Sequence, residues 1–516
     1  MGFAGAPAAS GESEDPERPN LTRSAVGGMA WVAWGSGTIA VLKVVVLVLL
    51  TRLLSPIDFG VVGAALVVIA FALNFSQLGL GPALVQRPAL EPRHISAAFV
   101  ASTGFGVIVG SLIWFGAPLI AQFFRIDQLT PVVRWLALVF PIAGLATVPE
   151  SLLQRQLRFR FLAQRDVIAY GVGYGAVGVT LAVLGWGVWA LVGGQLTQAL
   201  IQLTFLLRAR VPLLPARPTW RSFRELMEYG VGQSAARVAM ILAVQADNLV
   251  VGRWLGAVAL GLYSRAYQLM SVPTALLGDV LDKVLFPTLS RVQDDPRRLA
   301  SAYLQGIAVI GVVTLPVGVV AAILAPELVV VAFGSKWVAL IPPFQVLALG
   351  MMFRTSSRMS DSLSRATGRV YRRAWRQALY ALLVFGGAYI GHYRGITGVA
   401  VGVLGALFIN YLLMAHLSLS VGQITWSSFV KAQLPALGLA TIVGAATLAA
   451  AIGTRRLGFP PLLGLLAGSA AAAATAALAV WLAPTLAIGP HGIRVRDTIR
   501  TFLAARLRPT GAGGSP

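Results

Sequence analysis

The sequence contains no cysteine. Disulfide bonds, thiolate catalysis and cysteine-ligated metals are thereby excluded. Charge is also scarce, with Asp, Glu, Lys and Arg making up 12% of 516 residues. A soluble chain of this length needs a charged, hydrated surface over its core. Acidic residues are rarer still, 19 against 41 basic ones. The four histidines include His94 and His392 in expected loops, and no two have metal-ligand spacing. There is no phosphate-cradling glycine loop, no Ser–His–Asp order and no nucleotide motif. Residues 1–20 lack the basic-then-apolar order of a cleaved signal peptide and carry Glu12, Glu14, Asp15 and Glu17.

Apolar residues, by contrast, make up 57% of the chain. They recur in blocks of roughly 20, the length that spans about 30 Å of hydrocarbon. The sequence therefore predicts an all-α integral membrane protein with about fourteen transmembrane helices between residues 25 and 483. Span four is expected at 129–149, span five at 167–185, span seven at 228–251 and span ten at 339–361. Lys and Arg are unevenly divided, 28 on one side of these spans and 8 on the other. That asymmetry predicts both termini in the cytoplasm and gives the net charge of +22 a topological meaning, in place of a nucleic-acid-binding face.

The chain also repeats itself. Arg52-Leu53-Leu54-Ser55 to Phe59-Gly60 aligns with Arg253-Trp254-Leu255-Gly256 to Leu260-Gly261 at an offset of 201. Ala117-Pro118 aligns with Ala325-Pro326 at 208, Gly185 with Gly395 at 210, and Glu150 with Asp361 at 211. Matches in order with a slowly drifting offset indicate a duplicated six-helix unit. Six is even, so the two halves should share one orientation, with a substrate site between them. The expected organisation is a disordered cytoplasmic tail (1–24), an N-lobe of helices 1–6 (25–208), a cytoplasmic linker (209–227), a C-lobe of helices 7–12 (228–418), two peripheral helices (432–483) and a basic cytoplasmic tail (484–516).

Charge inside a span is costly and marks a cavity or a partner. In span seven, with Gln233 set at zero and about 100° per residue, Arg237 lies near 40°, Asp247 near −40° and Asn248 near 60°. These four polar residues share one stripe. Lys43 of span one aligns with Val244, and Ser36 with Arg237, so the repeat turns both helices toward one place. Lys43, Ser36, Gln233, Arg237, Asp247 and Asn248 are thus the candidate substrate-binding residues, with the cations suited to an anionic cargo. Buried pairs that merely pin helices together are the structural alternative. Asp247 would either couple a cation or hold Arg253. Asp279 and Lys283 read as a local ion pair. Glu150 and Asp361 read as partners of nearby arginines or as a gate between the halves. No catalytic residue, metal or cofactor is expected.

Several segments resemble the polysaccharide transport family, which includes the Wzx-type oligosaccharide flippases, within the multidrug/oligosaccharidyl-lipid/polysaccharide exporter superfamily. They are Arg52-Leu53-Leu54-Ser55-Pro56-Ile57-Asp58-Phe59-Gly60, Gln86-Arg87, Gly185 to Leu191, Asp247 to Arg253, and Leu262 to Gln268. Arg52, Asp58, Gly60, Gly252, Arg253, Tyr263 and Arg265 are the motif residues, expected to be structural. The resemblance covers about 24–420, and Ile57 stands where the family often has an acid. It implies two six-helix lobes around a cationic cavity, alternating access in the bacterial inner membrane, a polyprenyl-diphosphate-linked oligosaccharide as cargo, contact with membrane lipid, and a glycan polymerase and glycosyltransferases as working partners. The alternatives are a cation-coupled multidrug-type exporter and a membrane glycosyltransferase or ligase. The first would favour an acidic cavity, and the second would need an outer carboxylate and a large outer domain.

Overall fold

A computed structural model describes residues 21–77, 79–87, 89–214, 216–226, 244–291, 295–487, 489–490 and 493. For 21–36, 74–77, 276–288, 370 and 486 it describes the backbone alone. Among the described residues the regular structure is helical throughout, with no strand. Helices α1 (Leu21–Leu53) and α2 (Pro56–Gln77) are followed by a short α3 (Leu80–Gln86) and by α4 (Pro92–Phe124). Helices α5 (Leu129–Ala137) and α6 (Val139–Arg155) follow one another with a break at Leu138. Helix α7 (Phe159–Tyr170) runs through a π-helical stretch, Gly171–Gly178, into α8 (Val179–Val183), and α9 (Val188–Arg208) returns. The second half begins with α10 (244–250) and a π-helical turn, Val251–Leu255. Then come α11 (Gly256–Arg291), α12 (Pro296–Ile323), α13 (Ala325–Ala332), a 3-10 turn (Ser335–Leu340), α14 (Ile341–Leu349), α15 (Met351–Ala366), α16 (Val370–Gly391) and α17 (Gly395–Gly422). Helices α18 (Trp426–Arg456), α19 (Pro461–Leu482) and α20 (Pro484–Ala487) follow.

Nine helical stretches among the described residues are long and apolar enough to cross a membrane. A tenth arises if the pair Ser335–Leu349 and Met351–Ala366, bent by 42°, is one crossing. One of the nine, Tyr371–Gly422, holds both α16 and α17. Much of expected span seven lies outside the described residues. The faces of α4 show why the chain suits lipid. Phe115 is 78% exposed and lies beside exposed Leu112 and Leu119, whereas Gly106, Gly110, Ala117 and Ala121 are buried. Large apolar groups outside and small ones at the helix contacts form the pattern of packing in a bilayer.

Several expected boundaries are corrected. Span five begins earlier than 167, because α7 starts at Phe159. Spans four and ten are each broken, at Leu138 and Gly350. His94 is not in a loop: it is buried in the first turn of α4, in a reciprocal cap with Glu91. His392 sits in a 3-10 turn, His392–Arg394. The aligned prolines also differ, with Pro118 inside α4 and Pro326 opening α13 after a break at Leu324. Proline is tolerated at the first turn of a helix, where its missing N–H would be unsatisfied anyway.

The order of elements repeats as the alignment implies. Helix α6 packs on α4 and α9, and α15 packs on α12 and α17. Both halves carry a left-handed glycine at the aligned turn, with φ of 79° at Gly185 and 69° at Gly395. The halves meet along α2 and α11. There a Cβ on Gly60 would stand 1.7 Å from the Ala257 carbonyl oxygen, and one on Gly261 would stand 1.8 Å from that of Pro56. These four residues are two aligned pairs, each the other's counterpart at 201. Reciprocal contact of this kind is what a twofold relation produces.

Candidate functional site

Lys43 is exposed on α1, with its ammonium 5.8 Å from the centre of the Tyr170 ring. Tyr170 and Tyr174, both four residues apart on one helix face, have ring centres 5.3 Å apart. The Tyr174 hydroxyl donates to Oε1 of Gln195 on α9 at 2.7 Å. Arg265 approaches the same region from α11. Its guanidinium lies 4.7 Å over the Phe59 ring and donates to Gln268 Oε1. Its Nε is buried, with no acceptor among the described residues. A cation from each half therefore lies near one tyrosine pair, and neither is neutralised there by a carboxylate among the ion pairs of the described residues.

Asp247 occupies a different place. It is buried, its Oδ2 accepts from the Tyr263 hydroxyl at 2.8 Å, and its Oδ1 accepts from the Asn248 backbone N–H at 2.8 Å. Asn248 donates through Nδ2 to Gln245 at 2.9 Å, while its Oδ1 is buried without a partner among the described residues. Tyr263 and Tyr267 are 6.4 Å apart, and the Arg354 guanidinium stacks 4.9 Å over Tyr267 and donates to its hydroxyl. Asp247 thus belongs to a chain of groups inside the second half and does not hold Arg253. Arg253 instead lies over the rings of Phe123, at 5.5 Å, and Trp254, at 5.8 Å. Sequence reasoning missed Arg354, although a charge inside expected span ten was signal enough. Gln233 and Arg237 lie outside the described residues, and so do the side chains of Ser36, Asp279 and Lys283.

The motif residues build the far end of the α2–α11 contact. Arg52 donates to the carbonyls of Ala332 and Val331, Lys336 Nζ donates to the Arg52 carbonyl at 2.8 Å, and Trp337 Nε1 donates to that of Thr51 at 2.8 Å. Asp58 stays local, accepting from the Ser55 N–H at 2.9 Å and the Ser55 hydroxyl at 2.6 Å. Gly252 is buried in the π-helical turn, where a Cβ would come 2.9 Å from Phe124. These bonds join the two halves on the side that carries Arg52 and Lys336.

The opposite side is tied within each half. Glu150 accepts from Arg165 Nη2 at 3.2 Å, and Asp361 accepts from Arg373 and sits 3.3 Å from Arg365. Neither of these bonds crosses between the halves. Glu225, after α9, is held by His94 at 3.1 Å, Arg87 at 2.6 Å and Arg221 at 3.2 Å. Hydrogen bonds from His94, Arg87 and Arg221 hold its carboxyl down at about 2, so it stays charged at neutral pH. Helix α18 is less peripheral than expected. Its Arg455 makes a two-pronged bond to Glu327, at 2.6 and 2.9 Å, and donates to the Ile323 carbonyl at 2.9 Å.

The fold is shared with solved transporters. It superposes on the lipid II flippase MurJ, in an inward closed conformation, with a TM-score of 0.70 at 13% identity, covering 88% of this chain and 99% of that one. It also matches an inward-facing multidrug resistance MATE family transporter of the MOP superfamily, with a TM-score of 0.59 at 17% identity over 77% and 94%. Among sequences, the chain is 23% identical to the teichuronic acid biosynthesis protein TuaB of Bacillus subtilis (strain 168), covering 78% of this chain and 85% of that protein. It is 25% identical to the lipopolysaccharide biosynthesis protein WzxC of Escherichia coli (strain K12), over 76% and 80%. It is 28% identical to the succinoglycan biosynthesis transport protein ExoT of Rhizobium meliloti (strain 1021), over 60% and 62%. The family described as polysaccharide biosynthesis protein matches residues 49–342. With more than half of its length matched, this multi-pass membrane chain belongs to the polysaccharide biosynthesis protein family.

Proposed function

We propose that the chain is a flippase that carries a polyprenyl-diphosphate-linked oligosaccharide from the cytoplasmic to the outer leaflet of a bacterial inner membrane. The observation that carries this reading is the pair of cations near Tyr170 and Tyr174, Lys43 from the first half and Arg265 from the second. A diphosphate is the part of such a cargo least able to cross hydrocarbon, and ionised partners offset its lost hydration. Relatives named for teichuronic acid, lipopolysaccharide and succinoglycan, and a fold shared with a lipid II flippase, support the same cargo class. The step breaks no covalent bond. Two six-helix lobes, 25–208 and 228–418, would rock about the α2–α11 contact, with both termini in the cytoplasm. The shared fold with multidrug transporters supports a second reading, an exporter of small amphiphiles. A cation-lined site suits anionic cargo better than the cationic drugs that such an exporter would carry.

Two experiments bear on this. Single cysteines are clean reporters in a chain that has none. Cysteines at Arg125 and Arg394 are expected to react with an impermeant maleimide in intact spheroplasts, and those at Arg158 and Arg373 only in inverted vesicles. Labelling at Arg373 from outside overturns the topology. Lys43→Ala and Arg237→Ala should each lower affinity for cargo roughly tenfold to a hundredfold, the loss of one charge-assisted hydrogen bond. Arg237→Lys should recover part of it, because the charge stays and the planar fork goes. The readout is surface glycan in a deletion strain, with membrane protein level measured in parallel. Normal export by both alanine variants at normal abundance would sink the cation assignment.

A further inference from the structure

A cavity of about 590 Å³ lies within the first half, between α3, α6 and α9. Small-molecule sites occupy roughly 300–1,000 Å³. Helix α6 turns Thr147, Glu150, Ser151 and Gln154 to it along one face. Helix α9 adds Gln195 and Gln202, and the end of α3 adds Gln86. Farther along α6 the wall becomes apolar, at Val139 and Ile142. Thr147 and Ser151 donate to carbonyls one turn back on α6, Gln202 donates to Asp166 and Gln195 accepts from Tyr174, which leaves the hydroxyl lone pairs and the Gln195 amide N–H groups to offer a polar occupant.

The chemistry of the wall narrows that occupant. A primary amide offers two donors and a two-lone-pair acceptor, and a hydroxyl offers both roles. That set matches a ligand rich in hydroxyls. Glu150 is the one ionisable side chain in the described lining, and it is engaged by Arg165 at 3.2 Å. Arg155, on the same helix, turns instead to the carbonyls of Leu84, at 3.1 Å, and Arg87, at 2.6 Å. The wall therefore presents a carboxylate and no cation, which disfavours a diphosphate. The cavity also adjoins the cationic site. Gln195 in its wall accepts from Tyr174, and Tyr174 packs at a tilt against Tyr170, whose ring Lys43 approaches.

We propose that this cavity is a saccharide subsite: it binds the uncharged sugars next to the diphosphate by their hydroxyls while the diphosphate rests at Lys43 and Arg265. It rests on the flippase reading and adds to it the means of choosing a glycan. Ala199 and Ala143 line the cavity on α9 and α6 and supply the reporters. Ala199→Cys, and independently Ala143→Cys, are labelled with maleimide in inverted vesicles. Three probes are added in turn: glycan released by mild acid from the lipid-linked oligosaccharide of the same cells, sugar-free polyprenyl diphosphate, and phosphatidylglycerol. The expected result is severalfold slower labelling with the released glycan and no change with the other two. Protection by either lipid alone, or none by the glycan at either cysteine, overturns the subsite. Ala199→Phe, which fills the space and removes no polar group, should raise the KM for lipid-linked oligosaccharide uptake in proteoliposomes roughly tenfold or more, the equivalent of one or two neutral hydrogen bonds. The two readings fail separately. Wild-type protein that moves no lipid-linked oligosaccharide defeats the flippase reading whatever the labelling shows. Wild-type transport with an unchanged KM in Ala199→Phe defeats the subsite alone.

Discussion

Alanine at Gly60 or at Gly261 is expected to abolish glycan export from cells that still make and insert the protein. A Cβ at these positions would stand 1.7 Å from the Ala257 carbonyl and 1.8 Å from the Pro56 carbonyl, where real Cβ contacts are essentially never below 3.0 Å. The obstructing atoms are backbone, so no rotamer change relieves them, and α2 and α11 must part. Parting them strains the bonds from Lys336 and Trp337 to the carbonyls of Arg52 and Thr51. Overpacking of this kind costs about 1–3 kcal/mol, and each lost hydrogen bond adds about 0.5–1.5 kcal/mol. At about 1.4 kcal/mol per decade, the joined arrangement on this side should lose population roughly thirtyfold or more. Gly63 is an internal control three residues away, because its Cβ would meet only the Leu260 side chain at an ordinary 3.5 Å. Gly63→Ala should export normally. The measurement pairs surface glycan with maleimide labelling of Ala332→Cys from outside, which should rise in Gly60→Ala. Normal export and unchanged labelling in that variant would show that the contact is dispensable.

Arg265→Ala should cause a loss of cargo binding as large as that of Lys43→Ala. Arg265 sits where the halves meet, over the Phe59 ring and near both tyrosines, with its Nε unsatisfied among the described residues. A buried N–H without an acceptor is costly, and an anion in transit would supply one. Removing the guanidinium should weaken cargo binding roughly tenfold to a hundredfold, at about 1.5–3 kcal/mol for a bond to a charged group. Arg265→Lys should keep the charge and lose the stack on Phe59, giving an intermediate value. Combining Arg265→Ala with Lys43→Ala distinguishes shared from separate roles, since groups acting on one ligand are not additive. The assay is uptake of lipid-linked oligosaccharide into proteoliposomes, with thermal stability followed in the same preparation. A structural role alone would lower stability and leave KM unchanged, and that outcome would remove Arg265 from the site.

Composition, hydropathy and the internal alignment made the membrane class, the duplication and the family segments readable from sequence alone. Each of these depends on one segment at a time: an apolar block of bilayer length is a span wherever it packs, and a loop arginine orients its neighbours without a partner. The repeat even pointed to Gly60 and Gly261, though as aligned residues and not as the point where two helices touch. Function at single residues was less readable. Helical phase put Asp247 on the stripe of Arg237, yet its carboxyl is held by Tyr263 on the next helix. Arg52 and Arg253 align, yet one caps carbonyls across the halves and the other lies on aromatic rings. Arg265 read as a motif residue, and Arg354 was passed over. Phase gives direction around one axis, whereas a side chain's partner depends on the depth, crossing angle and spacing of the helix it meets, set by where glycines let backbones approach. The sequence by itself determined that this chain lies in the membrane as a duplicated bundle of its family. Only the tertiary structure decided which of its charges are spent on packing and which stand beside the tyrosine pair.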